Sequence, residues 1–141
     1  MLRLARRYRF SASHRLHAPQ LSDEQNREVF GKCNNPFGHG HDYVLEVIAR
    51  GDVDPHTGLL LNVADLDALV RRTVLNDFDL ADMNRQIPAF GDVPPTTENV
   101  AVEVERRIAQ AWTQTFPPSA RFDGVRILET KRNHVELRHE K

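Results

Sequence analysis

Three histidines in this sequence have the spacing of a metal site. His39 and His41 flank Gly40, and on a β-strand residues i and i+2 point to the same side. His14 lies in an upstream alternating segment and can supply a third nitrogen if the two segments pair as strands. Three histidines leave one position of a tetrahedral zinc ion open, which is typical of catalytic sites. The sequence therefore favours a zinc site over the alternative of a polar turn and a satisfied core histidine.

A cysteine lies in the loop before these histidines. Cys33 is the only cysteine of the chain, so no intrachain disulfide can form and no cysteine pair can complete a structural zinc site. A thiolate can act as a nucleophile or base, and a nearby cation such as Lys32 or a metal lowers the pKa of the thiol. The loop is rich in Gly, Asn and Pro, which argues against an inert core cysteine.

The four other histidines, His17, His56, His134 and His139, stand isolated among charged or loop residues. We expect them at the surface, with His17 and His134 as the two that could border a cleft.

The chemistry-bearing residues need strands and helices to position them. Alternation predicts a β-strand that ends at His14, and helical spacing of apolar residues predicts a helix from Asn62 and a second from Thr96 or Thr97. We expect residues 17–38 to form a long loop and residues 77–95 to be irregular. The remaining predicted strands are 39–50, 124–130 and 134–138. The order β-β-α-α-β-β predicts an α+β protein whose antiparallel sheet keeps two edges, and pairing between subunits is one way to cover them.

Composition sets the class of protein. The 141 residues suit a single domain, 1–141, and the chain is 40% apolar and 28% charged with a net charge of -1. This balance gives no sign of nucleic acid or a membrane surface as partner. The basic N-terminus lacks the features of a signal peptide, and a lone thiol is typical of the reducing cytoplasm, where we expect the protein.

Four motifs resemble the 6-pyruvoyl-tetrahydropterin synthase family in order and spacing. They are FSASHRL at 10–16, FGKCNNPFGHGH at 30–41, TTENVA at 96–101 and LET at 128–130. The resemblance covers nearly the whole chain. It includes the 6-carboxy-tetrahydropterin synthases as a close branch.

The resemblance implies roles for named residues. It makes His14, His39 and His41 the Zn²⁺ ligands and Cys33 the catalytic base. It places Glu129 at the pterin ring, with Thr96, Thr97 and Glu98 beside it. Physically, a carboxylate can accept two parallel N–H bonds from the edge of a pterin, although a solvated glutamate at a strand end is the plainer alternative.

The resemblance also implies a fold and an assembly. The family has the tunnelling fold, a four-stranded antiparallel sheet with two helices on one face. Three subunits close a β-barrel, two trimers stack into a homohexamer, and the active sites lie between subunits.

One position departs from the family pattern. The family cysteine works with an Asp-His pair in a DHxxLN motif, and the aligned segment begins Asp79-Leu80. Asp79 matches the aspartate, but leucine can neither accept nor donate a proton. An alternative register through Asp77-Phe78 also lacks histidine. His17 and His134 are the candidates to replace the missing relay histidine.

The resemblance implies a zinc-dependent lyase that acts on 7,8-dihydroneopterin triphosphate, eliminates triphosphate and serves tetrahydrobiopterin biosynthesis. Two alternatives stay open. One is a 6-carboxy-tetrahydropterin synthase of deazapurine (queuosine) biosynthesis, although the five residues between Cys33 and His39 favour the pyruvoyl type. The other, suggested by Leu80, is a catalytically weakened protein that binds a pterin.

Overall fold

The computed structural model describes residues 1–139. Its β-sheet is built around two long strands. Strand β1 (Leu2–His14) pairs antiparallel with β2 (His39–Gly51) over its full length, so that His14 lies opposite His39. Strands β4 (Ala120–Leu128) and β5 (His134–Arg138) continue the sheet beyond β2. The predicted strand ending at His14 is confirmed, and so is 134–138.

The sheet has five strands and is mixed, whereas a four-stranded antiparallel sheet was predicted. The additional strand, β3 (Ala81–Asp82), pairs in parallel with Ala12 and Ser13 of β1, giving the order β3-β1-β2-β4-β5. Two residues are too few to produce a period-two pattern, so this strand has no sequence signal.

One face of the sheet is covered by helices. The longest is α5 (Thr97–Thr115), which begins at the N-cap Thr96, and α2 (Val63–Val70) begins at the predicted N-cap Asn62. Their buried side chains pack on the apolar residues of β1, β2 and β4 to form one core. That core includes Phe10, Tyr43, Leu45, Val47, Leu66, Leu69, Val104, Ile108, Val125 and Ile127.

Arg6 interrupts the alternation of β1 for a reason visible in the structure. It points to the helix-covered face, where its Nε donates to Oδ1 of Asp67 on α2 at 2.6 Å. The same carboxylate oxygen accepts from the Tyr8 hydroxyl at 2.7 Å. The charged residue on the covered side is therefore paired and ties β1 to α2.

Residues 17–38 contain a helix where we predicted only a loop. Helix α1 (Asp23–Phe30) starts with a capping box in which Ser22 and Gln25 bond each other's backbone, and a 3₁₀ turn, Gly31–Asn34, follows it. Its buried residue is Asn26, whose amide bonds to the backbone of Ala18, Leu21 and Ser22. The helix escapes an apolar-period search because it is anchored by a polar side chain.

The segment 77–95, predicted to be irregular, holds several short elements. After α2 the chain makes a π-helical turn, Arg71–Leu75, and the short α3 (Asn76–Phe78). Beyond β3 come α4 (Met83–Gln86) and a 3₁₀ turn, Pro88–Phe90. Within residues 1–139, no helix is both long and apolar enough to cross a bilayer.

Candidate metal centre and its cleft

The three predicted histidines converge at the paired ends of β1 and β2. Their ligand-capable atoms all lie within 4.8 Å of one another, and Nε2 of His14 is 3.1 Å from Nε2 of His39. Two nitrogens bound to one tetrahedral zinc ion at about 2.0–2.1 Å would be separated by roughly 3.3 Å. The register that places His14 opposite His39 therefore produces the nitrogen spacing that a zinc ion requires.

The surroundings of His14 favour the neutral tautomer with a free lone pair on Nε2, which is the form that binds a metal ion. Its side chain is 1% exposed, and its Nδ1 lies 2.8 Å from the carbonyl oxygen of Pro95, just before α5. A carbonyl only accepts hydrogen bonds, so Nδ1 carries the hydrogen and Nε2 keeps a free lone pair. Burial lowers the pKa of His14, and burial followed by the charge of His41 lowers the pKa of His39. Both shifts favour the neutral imidazoles that bind metals.

His41 provides a test of whether this group suits a metal ion. Its Nε2 is buried and has no hydrogen-bond partner among the described residues. The nearest charged atom is Oε1 of Glu129 at 3.3 Å, and the contact lacks the alignment of a hydrogen bond. Buried polar atoms are normally satisfied, so this nitrogen fits a role as a metal ligand. The residues present fit a zinc ion.

Cys33 lies in a cleft beside the histidines and outside their group. The cleft has a volume of about 1010 Å³, and His39 forms part of its wall. The group of atoms that lie within 4.8 Å of one another includes neither Cys33 nor Glu129. The Cys33 carbonyl accepts from the Leu16 backbone N–H at 2.8 Å, which ties the cysteine loop to the chain that follows β1.

The residues around Cys33 shift the pKa of its thiol upward, opposite to the lowering that we predicted from Lys32. Burial raises the pKa of the Cys33 thiol, and the carboxylate of Glu129 raises it further. The expectation that Lys32 lowers this pKa is therefore not met by the protein's own residues.

Three cationic side chains line this cleft. They are Arg15, Arg27 and Lys32, and Asp23 is the acidic residue among the lining side chains. Because the whole chain carries a net charge of -1, this concentration of positive charge is local. The cleft is suited to an anionic ligand. Arg27 has no sequence signal, since an isolated arginine is an ordinary surface residue, whereas Arg15 lies within the FSASHRL motif beside His14.

Glu129 faces the metal centre from the end of β4. The Thr97 hydroxyl donates a hydrogen bond to Oε2 of Glu129, while Oε1 faces His41. Thr96 is occupied differently, because its hydroxyl caps α5 by accepting from the Asn99 N–H at 3.2 Å. Glu98 is exposed on the first turn of α5 and makes no side-chain hydrogen bond within residues 1–139. The structure thus brings Thr97 to Glu129, but not Glu98.

Asp79 and Leu80 lie at the other side of β1. The Asp79 carboxylate accepts from the Ser11 backbone N–H at 2.9 Å, and the Leu80 N–H donates to the Ser11 carbonyl at 2.6 Å. Leu80 is 83% exposed and has a φ of 61°, in the left-handed region. It borders a cleft with Gly40 that is separate from the cleft of Cys33. Within one chain, Asp79 and Leu80 do not share the cleft of Cys33.

The remaining histidines separate into different environments. His17 is half-buried and lines the cleft of Cys33, in agreement with the expectation that it could border a cleft. His134 is exposed on β5 beside Arg126 and is not part of that wall. His139 pairs with Glu105 at 2.6 Å and packs against Phe122, so it is not isolated.

Fold and site together define an α+β protein with a group of three histidines that could hold a metal ion beside a cysteine-containing cleft. A family model described as 6-pyruvoyl tetrahydropterin synthase matches residues 3–140. The chain is 44% identical over 131 residues to 6-pyruvoyl tetrahydrobiopterin synthase of Poecilia reticulata, covering 93% of this chain and 86% of that protein. It is 41% identical over 137 residues to the Homo sapiens protein of the same name, with 97% and 91% covered.

A solved structure shows the same relationship. The 6-pyruvoyl tetrahydropterin synthase of Caenorhabditis elegans superposes with a TM-score of 0.90 at 34% identity, covering 99% of this chain and 96% of that one. The chain therefore belongs to the 6-pyruvoyl tetrahydropterin synthase family, and the resemblance in its motifs is confirmed.

Proposed function

We propose that the protein is a zinc-dependent lyase of the 6-pyruvoyl-tetrahydropterin synthase type that acts on 7,8-dihydroneopterin triphosphate and eliminates triphosphate. The observation that carries this proposal is the convergence of His14, His39 and His41 beside the cleft of Cys33. Family membership supports the reaction type.

The metal would be held by three neutral imidazoles, one of which is oriented by Pro95. Zinc, when bound, would polarise hydroxyl groups of the substrate side chain as a Lewis acid and favour the thiolate form of Cys33.

The chain's own residues supply the other parts. The Cys33 thiolate takes a proton from a side-chain carbon of the substrate, and the electron pair of that C–H bond forms a C=C bond as the C–O bond to triphosphate breaks. The cations of the cleft, Arg15, Arg27 and Lys32, bind the triphosphate before and after it leaves. Glu129, oriented by Thr97, accepts N–H bonds from the edge of the pterin.

The assembly belongs to the same proposal. Among residues 1–139, the outer edge of β5 and the outer edge of β1 from Leu2 to Phe10 have no strand partner. Pairing of these edges would close trimers into a barrel, and two trimers would form a homohexamer. Such an assembly offers a way for Asp79 of one copy to approach the cleft of another.

The test is incubation of purified, zinc-loaded protein with 7,8-dihydroneopterin triphosphate, with the products identified by mass spectrometry. Triphosphate together with 6-pyruvoyl-tetrahydropterin supports the proposal. A 6-carboxy product with loss of side-chain carbons would instead assign the protein to the queuosine branch. Unchanged substrate would contradict both enzymatic functions.

Leu80 favours a second candidate function. Its side chain cannot transfer a proton, and the motif resemblance assigns it the position of the relay histidine. If the substrate is bound at micromolar concentration and recovered unchanged, the protein is a pterin-binding protein. Isothermal titration calorimetry with the same substrate measures this binding directly.

A further inference from the structure

His17 is the histidine of the Cys33 cleft that the proposed roles leave unused. It follows β1 by three residues, and it lines both the Cys33 cleft and a neighbouring cleft of about 440 Å³. Among residues 1–139 it is the one histidine of the Cys33 cleft that lies outside the metal group. It is therefore the natural candidate to replace the relay histidine.

The environment of His17 is set by Asn34, whose amide orientation follows from a main-chain contact. The buried side chain of Asn34 places one terminal atom 2.7 Å from the Leu16 carbonyl oxygen. A carbonyl oxygen only accepts, so this atom is the amide nitrogen. Arg15 holds the same residue in place by donating from Nε to the Asn34 backbone oxygen at 3.1 Å.

The same nitrogen determines the tautomer of His17. It lies 3.1 Å from Nδ1 of His17, and its second hydrogen is available for that contact. A hydrogen on Nδ1 would set two donors against each other, so Nδ1 accepts and the hydrogen of the neutral ring lies on Nε2. Within the described chain the side-chain hydrogen bond of His17 is the one at Nδ1, so the Nε2–H is left for a ligand in the cleft that His17 lines.

We infer that His17 is a hydrogen-bond donor, fixed by Asn34 in its neutral Nε2–H form, that binds the anionic tail of the substrate and does not replace the relay histidine. Its basic nitrogen is occupied by Asn34, which removes the lone pair that a proton acceptor needs. Its free N–H shares the cleft with Arg15, Arg27 and Lys32, whose charge attracts an anion. The identity of that anion rests on the proposed function, whereas the tautomer does not.

The tautomer is tested on the full-length protein labelled with ¹⁵N-histidine. A long-range ¹H–¹⁵N correlation spectrum distinguishes a hydrogen on Nε2 from one on Nδ1, and His17→Gln identifies the resonance by its disappearance. A single Nε2–H form at neutral pH is expected. An Nδ1–H form, or a mixture of both, would overturn the inference.

The binding role is tested with inorganic triphosphate as the probe. His17→Phe should weaken its affinity by about tenfold, the effect of one hydrogen bond to a charged group, and His17→Gln should recover part of the loss through its amide N–H. The exposed His56 gives the matched control, His56→Phe, with unchanged affinity. Absence of triphosphate binding to the wild type, or equal binding to His17→Phe, refutes the role.

Turnover separates a binding residue from a relay residue. In an active enzyme, His17→Phe should raise KM and leave kcat within about threefold, whereas loss of a relay group lowers kcat by about 10²–10⁴-fold. A collapse of kcat with unchanged triphosphate affinity would make His17 a relay. If the wild type proves inactive, the spectroscopic and triphosphate measurements still decide this inference, while the proposed function alone fails.

Discussion

The His14–Cys33 region and the Asp79–Leu80 segment lie on two sides of β1. Hydrogen bonds hold both in place, yet they differ in the chemistry that their side chains can perform. On one side, His14 has its tautomer set by Pro95 and Cys33 lies in a cationic cleft. On the other side, the Asp79 carboxylate is hydrogen-bonded to the Ser11 backbone, and Leu80 offers only a hydrocarbon. The backbone contacts of Asp79 and Leu80 with Ser11 are therefore formed although Leu80 carries no group that can transfer a proton.

The largest effect should come from the cysteine side. Cys33→Ala should lower turnover by about 10²–10⁴-fold because it removes the proposed base. Zinc content, measured by atomic emission, should stay at one ion per subunit because Cys33 lies outside the histidine group. Because burial raises the pKa of the thiol, wild-type turnover should rise with pH as the thiolate forms. Loss of zinc from Cys33→Ala would show instead that the cysteine is a ligand.

Adding a proton-transfer group at position 80 tests the Asp79–Leu80 segment. Leu80→His should raise turnover by about 10²-fold if Asp79 orients the new imidazole, as an aspartate does in other relays. Histidine tolerates the left-handed backbone of this position better than most residues do. Leu80→Gly is the matched control, since it should relieve roughly 1 kcal/mol of backbone strain without adding a proton carrier. Equal rates for the wild type and Leu80→His would show that the proton transfer does not use this position.

The metal centre should respond to loss of a single ligand. His39→Ala should weaken zinc binding by about 100-fold or more, since one of three ligands carries roughly 3 kcal/mol of a total near 10 kcal/mol. Competition with a chromophoric chelator gives the affinity, and the exposed His56→Ala serves as control. Identical affinities for the two variants would exclude His39 from the site.

A smaller effect is expected at the ligand-facing carboxylate. Glu129→Gln keeps an oxygen for the Thr97 hydroxyl and presents an NH₂ where the pterin edge needs an acceptor. Pterin affinity should fall by about tenfold or somewhat more, the effect of an unsatisfied hydrogen bond. Glu28→Gln, a change at an exposed glutamate of α1 with no proposed role, should leave the affinity, measured by fluorescence titration, unaltered. Unchanged binding by Glu129→Gln would reduce that residue to a strand-end carboxylate.

The elements that could be predicted from sequence are those whose signals are local. Alternation identified β1, and the helical recurrence from Val100 to Trp112 together with the cap Thr96 identified α5. The three histidines converge because an i, i+2 pair on one strand faces a histidine on its partner, and that relation needs only strand pairing.

Other features depend on contacts that no local pattern encodes. Helix α1 has a capping box, Ser22 with Gln25, that was a usable signal, but its buried side chain is the polar Asn26. Strand β3 is two residues long and is defined by its partner, β1. The Pro95 carbonyl and the Arg27 side chain reach the site through tertiary packing, whereas Arg15 is there because it follows His14 in the chain.

The bond between His14 and Pro95 has a consequence for the order in which the protein forms. It joins residues 81 positions apart in the chain, while the histidines themselves are separated by only 25. A nascent chain can align His14 with His39 once β1 and β2 have paired. The tautomer of His14 is set only after residue 95 has left the ribosome and docked. The hydrogen bond to Pro95 cannot form until the loop between residues 14 and 95 has closed. If the three histidines bind zinc as proposed, the complete ligand set forms late in folding, and a truncated chain would offer the metal a His14 whose tautomer is not fixed.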